Sequence, residues 1–174
     1  GVFAGTFDDD AATAVLAETA VHWLERLESH SLVGRSNGRW ALLESVRAYA
    51  REKLPAHGRE AAEERHRQHV LGVAESLAED VNVHNDRRAR ARMDPLLDDL
   101  FTVSSRGPAE ARAHAAKLLA PVLRVRGEGD RALEVLFGAL LALDFPARRT
   151  ALYALVGPRR VATAVSLETV SMQV

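Results

Sequence analysis

The chain contains no cysteine, which excludes disulfide bonds and thiolate metal sites. This absence fits a reducing compartment, and we expect a cytoplasmic protein. Aromatic residues make up only 5% of the sequence. That is too few for a β-sandwich core, a platform that stacks single-stranded nucleic acid or a sugar site lined by rings. No signal peptide is visible, and no run approaches the roughly 18 apolar residues of a membrane span, so we expect no membrane association.

An excess of charge of one sign is also missing. The chain has 23 Lys and Arg against 24 Asp and Glu, and its net charge is −1. Residues 108–174 carry the strongest local excess, which is +3. Binding to a phosphate backbone needs a concentrated basic surface, so we do not expect direct DNA binding.

The sequence patterns of common catalytic centres are absent. There is no Gly-Lys-Ser or Gly-Lys-Thr, and therefore no Walker A loop, and no Gly-x-Ser-x-Gly elbow. No Ser, His and Asp are arranged in a recognisable motif. We therefore expect no catalytic residues and no enzymatic activity within this chain.

What the sequence does contain is a helix-forming composition, rich in Ala and Leu with six prolines. Near the N-terminus, Asp8, Asp9 and Asp10 suit a helix start. A second helix is predicted over residues 19–31. Ala20, Trp23, Leu24 and Leu27 recur there at helical spacing and predict its buried face.

A β-hairpin is predicted next, because two short β-like runs, residues 32–35 and 39–42, flank Asn37-Gly38. Asn-Gly tolerates the positive φ angles of a type I′ turn. A helix follows over residues 44–54 and is expected to stop near Pro55 and Gly58. Helix, helix, two-stranded wing, helix is the order of a winged-helix unit.

The remainder is predicted to be all-helical, so the fold class is mostly α with one small hairpin. Pro121 should kink or end its helix, and Asp144-Phe145-Pro146 should separate the last two helices. Two helices joined by a tight Gly turn form a helical hairpin, the unit of repeat arrays similar to tetratricopeptide repeats. The predicted helices span residues 60–81, 87–103, 110–125, 130–143 and up to 156.

These elements divide the chain into four parts. Residues 1–57 form a winged-helix unit and residues 58–107 form connecting helices. Residues 108–157 form repeat-like helical hairpins, and the tail at residues 158–174 has no clear apolar face and stays unassigned.

Several small groups of residues offer chemistry, but in each case we favour a structural role. His66 and His69 could share a helix face and bind a metal, but no third ligand has suitable spacing, so we expect no metal. The run Asp8-Asp9-Asp10 could suggest Mg²⁺, but a helix cap is favoured. Gly127-Glu128-Gly129 is a bare Gly-x-Gly with no strand before it, so phosphate binding is not expected.

The larger and basic side chains are likewise interpreted as structural. Trp23 and Trp40 are predicted to lie in the core. Glu18, Glu25 and Glu28 outweigh Arg26 on the helix that would enter a DNA groove, which argues against DNA binding. The densest basic run alternates around its helix, which predicts a solvated face. That run consists of Arg87, Arg88, Arg90 and Arg92.

Three stretches together resemble the winged-helix region of bacterial signal-transduction (STAND) ATPases, large transcriptional regulators common in actinobacteria. They are residues 2–12 (VFAGTFDDDAA), 24–33 (LERLESHSLV) and 39–54 (RWALLESVRAYAREKL), followed by Arg65-His66. Residues 126–139 (RGEGDRALEVLFGA) resemble the first repeat hairpin of the same regulators more loosely.

The resemblance implies a non-catalytic coupling role. In the family, the winged-helix unit packs on a nucleotide-binding module and helps to hold it closed on ADP, while the repeats sense an effector. The expected partner is therefore such a module, in a parent chain or in another protein. No cofactor is expected in this chain, although the parent would bind ATP or ADP. The expected interdomain surface comprises Leu43, Glu44, Arg47 and Tyr49.

One departure from the family pattern concerns the nucleotide. The wider class opens the helix after the wing with Met-His-Asp, whose His reaches the ADP phosphate, whereas this chain has Leu42-Leu43-Glu44. Leu43 cannot donate a hydrogen bond, so only apolar docking is expected of it. Two alternatives stay open. One is a free-standing helical protein-interaction module, and the other is a winged-helix DNA-binding protein.

Overall fold

The computed structural model describes residues 2–16 and 20–156, with side chains up to residue 143. This part is mostly helical with one two-stranded antiparallel sheet, which confirms the predicted fold class. No helix in it is long and apolar enough to cross a bilayer. The helices are α1 (Asp9–Leu16), α2 (Ala20–Ser29), α3 (Glu44–Lys53), α4 (Ala56–Asn82), α5 (Arg87–Met93), α6 (Leu97–Arg106), α7 (Ala109–Val125) and α8 (Gly129–Val156), and the strands are β1 (Val33–Ser36) and β2 (Arg39–Leu42). The unassigned tail, residues 158–174, lies outside the described residues, as does Glu18.

The hairpin forms around the predicted turn. Asn37 and Gly38 have φ angles of 52° and 75°, the left-handed values that a type I′ turn requires. Residues 2–7 add a further pairing, because Phe7 and Trp40 exchange two backbone hydrogen bonds of 3.0 and 2.7 Å. The sequence did not reveal this bridge, since one paired residue produces no alternating pattern.

A first core lies where α1, α2, the hairpin and the start of α4 meet. Trp40 is fully buried at its centre, and its indole N–H donates to the Asp9 carboxylate at 2.6 Å. Phe3 and Phe7 stack with ring centroids 4.0 Å apart. The other buried side chains of this first core are Ala11, Ala12, Val15, Ala20, Leu24, Val33 and Ala62.

A second core lies among α4, α5, α6, α7 and the start of α8. Met93, Leu100, Leu119 and Leu123 are its most completely buried large side chains. The helix α4 contributes to both cores. Its Ala62 belongs to the first core, and its residues from Val70 to Val81 belong to the second. One continuous helix therefore connects the two apolar cores.

Two predicted helix boundaries near prolines were wrong. The helix α4 begins at Ala56, so Gly58 lies inside its first turns and Pro55 occupies its N-cap position. Proline suits a helix start because the first turn needs no backbone N–H donor. The helix predicted over residues 87–103 is instead α5, a 3₁₀ turn at Asp94–Leu96, and α6. Pro95 lacks the N–H that a continuous α-helix would use there.

Two other prolines were expected to interrupt helices and do not end them. The helix α7 continues past Pro121 to Val125, and α8 runs through Pro146 to Val156 as one helix. The predicted turn at residues 144–146 is therefore wrong. Proline removes one backbone hydrogen bond, but the strong helix formers Ala, Leu and Arg on both sides of Pro146 favour continuation.

Trp40 is buried as predicted, but Trp23 is not. The Trp23 side chain is 53% exposed. The buried positions of α2 are Ala20 and Leu24, with Leu27 half-buried, so Trp23 lies at the margin of that stripe. It contacts exposed side chains instead, with the Arg26 guanidinium 5.5 Å from the centre of its ring.

Candidate functional site

The four residues expected to form an interdomain surface lie at the N-cap and in the first half or middle of α3. Leu43, at the N-cap, and Tyr49 are 53% and 62% exposed. Glu44 lies in the acidic first turn and is also exposed. Its carboxylate is 3.2 Å from the guanidinium of Arg47, whose side chain is only 17% exposed. Leu43, Glu44 and Tyr49 are therefore available to a partner, while Arg47 is turned inward.

The helix α3 lies at the edge of the first core and contributes no buried residue to it. It has few apolar side chains for a helix of its length, chiefly Val46 and Ala50. Because so little apolar area is buried here, tertiary packing stabilises α3 weakly. The wing connects to it directly, since β2 ends at Leu42 and α3 begins at Glu44.

An apolar cavity of about 230 Å³ lies between α3 and the first core. Side chains of the N-terminal segment, α1, α2, β2, α3 and α4 form its walls, and nearly all of the exposed wall surface is hydrocarbon. Charged groups occur only at Arg51, Arg59 and Glu63. The apolar lining includes Phe3, Val15, Leu24, Leu42, Leu54 and Ala62.

A second cavity, of about 350 Å³, adjoins the first, and its lining combines charged and apolar side chains. We call it the basic cleft. It lies between α4 and α6, and it shares Val2, Arg51, Arg59 and Glu63 with the apolar cavity. Its charged and titratable side chains are Arg51, Arg59, Glu63, His66, Arg67 and Arg106.

A buried polar joint lies beside the basic cleft. Asp99 of α6 is only 3% exposed and accepts a hydrogen bond of 2.7 Å from the backbone N–H of Ala4. The Nε2 atom of His66 lies 3.4 Å from Asp99 Oδ1, but this pair lacks hydrogen-bond alignment. The edge of the Phe3 ring meets the His66 ring at 88°. The joint connects the N-terminal segment to α4 and α6.

The acidic run near the N-terminus is occupied by structural contacts. Asp8 Oδ1 accepts the backbone N–H of Ala11 at 2.9 Å, which confirms the predicted cap, and Asp8 Oδ2 lies 2.9 Å from Arg39. Burial alone would raise the pKa of Asp8, but the Ala11 hydrogen bond and the Arg39 charge outweigh it, so the pKa lies below its ordinary value. Asp9 accepts the Trp40 indole N–H.

The candidate phosphate loop is a helix C-cap. Gly127 has a φ angle of 80°, and its N–H donates to Arg124. The N–H of Glu128 donates to the carbonyl of Leu123 at 2.9 Å. These two amides are therefore used to end α7 and cannot also bind a phosphate.

The two histidines considered as metal ligands have different surroundings. His66 is buried beside Asp99, whereas His69 is half-buried on α4. Within residues 2–16 and 20–143, no three His, Cys, Asp or Glu side chains are close enough together to hold a metal ion.

The wing arginines, which could contact DNA, are held against the protein. Arg39 donates to Asp8 and to the backbone carbonyl of Thr6. The Arg35 guanidinium lies 4.5 Å from the centre of a Trp40 ring and 3.8 Å from the Asp9 carboxylate. A wing that binds phosphates would need these groups to face outward.

Comparisons with protein-family models, curated proteins and solved structures found no match to the chain. The resemblance to signal-transduction ATPases therefore stays a prediction, and so does every role that it implies.

The basic cleft and the buried joint were not identified from the sequence. One signal was present for His66, which follows Ala62 and precedes Val70 on the same apolar stripe of α4. Asp99 gives a similar signal, because it interrupts the apolar residues Leu97 and Leu100. A polar residue inside a buried stripe calls for a partner. The sequence cannot show that these two residues would meet.

Proposed function

We propose that this chain is a non-catalytic coupling segment of an ATP-dependent bacterial transcriptional regulator in the cytoplasm. In this proposal, the segment transmits signals between a nucleotide-switch module, which packs on α3, and a sensor region of helical repeats, which continues from α8. The nucleotide would bind to the switch module and not to this chain. The main observation behind the proposal is that one helix, α4, contributes buried side chains to both cores.

The geometry of α4 suits a relay. A helix of 27 residues is about 40 Å long, and its two ends belong to different cores. A displacement of the first core must therefore rotate or shift α4 within the second core. The Ala4–Asp99 hydrogen bond is a second connection between the N-terminal segment and α6. Contiguous packing between two sites can carry coupling of this kind.

The exposed side of α3 supports the proposed docking of a nucleotide module. Leu43 and Tyr49 expose apolar and aromatic surface to solvent, and α3 has no buried residue. Exposed aromatic residues beside polar ones are typical of interface anchors.

The exposed side of α8 supports the continuation of a repeat array. Leu133, Leu136, Phe137 and Leu140 recur at helical spacing and are all exposed. A repeat hairpin cannot bury both of its faces alone and needs the next hairpin to cover it. The α7–α8 hairpin fits that unit.

The test begins with the coding sequence upstream of Gly1. A Walker A motif within about three hundred codons, after a predicted strand, supports the proposal. The release of fluorescent ADP from that parent protein is then measured for Leu43→Glu and Tyr49→Ala, with the exposed Arg92→Ala as the control. We expect faster ADP release from Leu43→Glu and Tyr49→Ala, and unchanged release from Arg92→Ala. The absence of the motif, or unchanged release, would refute the nucleotide relay.

A second candidate is a free-standing interaction module that binds a partner protein through α8. The exposed apolar side of α8 favours it directly. A photo-crosslinking phenylalanine analogue at Phe137 distinguishes the two functions in the native cell. Crosslinks to one separate protein favour the interaction module, whereas crosslinks within a longer parent chain favour the repeat array.

A further inference from the structure

The apolar cavity and the basic cleft together have the character of one small-molecule site. They share four lining residues, so a ligand can extend from one into the other. Their combined size falls within the roughly 300–1,000 Å³ of typical ligand pockets. One end of this composite site is hydrocarbon and the other is cationic.

The apolar end suits an unbranched or compact hydrocarbon group. Its walls come from six different segments, and none of the buried wall residues offers a polar side chain to a ligand. Water gains few hydrogen bonds in such a space, whereas an apolar group loses its contact with solvent on entry. The weakly packed helix α3 forms one wall, so it can move to admit a ligand.

The cationic end suits an acidic headgroup. Among the described residues, no carboxylate lies within ion-pair distance of Arg59 or Arg106, although both line the same cleft. Glu63 also lines this cleft but forms no ion pair with either arginine, so a carboxylate or phosphate that binds there would give both guanidinium groups an anionic acceptor.

An unsatisfied buried nitrogen lies at the same place. His66 lines the basic cleft and is only 5% exposed; its Nε2 lies 3.4 Å from Asp99 Oδ1 but forms no hydrogen bond. Buried polar atoms without a hydrogen-bond partner are rare in folded proteins, and a bound polar group is one way to satisfy them. This observation is independent of the arginine pair and indicates the same cleft.

From these observations we propose that the chain binds an amphiphilic anion, a single medium-length acyl or alkyl chain that ends in a carboxylate or phosphate. The hydrocarbon occupies the apolar cavity, and the headgroup contacts Arg59 and Arg106. Bound there, the ligand touches α3, α4 and α6 together. The proposal does not depend on any nucleotide module, because the whole site lies within this chain.

The test measures binding to this chain by isothermal titration calorimetry, below the micelle concentration of each probe. The probes are decanoate, decyl phosphate, decyltrimethylammonium, decanol and butanoate. We expect one-to-one binding of decanoate, decyl phosphate or both, and binding of decanol that is weaker by about tenfold or more, since a charge-assisted hydrogen bond contributes that much. Butanoate, which has too little hydrocarbon, should bind much more weakly than decanoate. Preference for one of the two anions identifies the headgroup.

Two variants locate the site. The double variant Arg59→Gln/Arg106→Gln should lose about tenfold or more in affinity for the anion and leave decanol binding unchanged. Ala50→Phe, which fills the apolar cavity from α3, should weaken both ligands. The charge-matched control is Arg88→Gln/Arg92→Gln on α5, and circular dichroism reports whether each variant folds.

Three results would overturn the proposal. The first is that neither anion binds, and the second is that decyltrimethylammonium binds as tightly as decanoate. The third is that Arg59→Gln/Arg106→Gln and the control Arg88→Gln/Arg92→Gln lose the same affinity for the anion. That result would indicate general attraction to positive charge. If Ala50→Phe does not fold, the double variant Arg59→Gln/Arg106→Gln still tests the proposal, because it changes only the basic cleft.

Discussion

At the scale of single residues, Asp99 makes the contacts most sensitive to substitution. Its carboxylate accepts the Ala4 N–H and lies beside the buried His66. Removing it leaves the Ala4 N–H without its acceptor, so we expect Asp99→Ala to lower the free energy of unfolding by about 2–3 kcal/mol. Urea denaturation followed by circular dichroism measures the change.

The neighbouring Asp98 provides the control for that prediction. It also lies in the first turn of α6, but it is exposed. The Asp98→Ala variant should change the free energy of unfolding by no more than about 1 kcal/mol, which is the contribution of a carboxylate at an exposed helix start. Equal losses in the two variants would mean that the buried joint contributes nothing of its own.

Asp8 gives a prediction that depends on pH. Its pKa is lowered in the folded state, so its charge stabilises the fold above the ordinary value of about 3.9, and this stability is lost as the pH falls through the lower folded pKa. Asp8→Asn can keep the cap but loses the attraction of Arg39. We expect a melting temperature lower by roughly 1–3 °C at pH 7, as for a partly exposed ion pair.

The difference in melting temperature between the unmodified protein and Asp8→Asn should narrow as the pH falls below about 3.9. Thermal melts of both proteins at a series of pH values measure it. Asp10→Asn is the control, since Asp10 is exposed and forms no ion pair among the described residues. A difference for Asp8→Asn that stays constant down to low pH would contradict the proposed role of its charge.

At the scale of elements, α3 differs from its neighbours in stability. It has no buried residue, whereas α7 buries a stripe that includes Leu119 and Leu123. Helices without tertiary packing open locally at little cost. We expect the backbone amides of α3 to exchange with deuterium at least about 100-fold faster than those of α7. Hydrogen-exchange mass spectrometry measures both in one experiment, and equal protection would contradict this account.

Sequence patterns predicted an element well where only a few residue types fit its backbone geometry, and poorly where tertiary packing decides. The Asn37-Gly38 turn was predicted because few residues other than these adopt two consecutive positive φ angles. Prolines were less informative. Pro95 interrupts a helix, while Pro121 and Pro146 lie within helices, and local sequence does not show which outcome tertiary packing selects.

The candidate sites show the same limit. The interdomain surface at Leu43, Glu44, Arg47 and Tyr49 came from the family resemblance and stays a prediction, although Leu43 and Tyr49 are exposed. The basic cleft was not inferred, because Arg59 and Arg106 are distant in sequence and meet only through the packing of α4 and α6. Helical periodicity reports which face of a helix is buried, and it does not report which helices become neighbours.

At the scale of the whole molecule, α4 should make the two cores unfold together. Both tryptophans, Trp23 and Trp40, precede α4, so fluorescence reports the first core while far-ultraviolet circular dichroism reports all helices. If α4 couples the cores, the two signals should show the same melting temperature. Different melting temperatures in the unmodified protein would mean that the cores unfold independently.

A proline in the middle of α4 tests that coupling directly. Gln68 is exposed and lies between Ala62 of the first core and Val70 of the second. Gln68→Pro should break α4 there at a cost of about 3 kcal/mol and separate the fluorescence and circular dichroism transitions. Gln68→Ala loses the same hydrogen bond to Glu64 but preserves the helix, so its transitions should still coincide. Coincident transitions in the proline variant would show that other contacts, such as the Ala4–Asp99 hydrogen bond, couple the cores without α4.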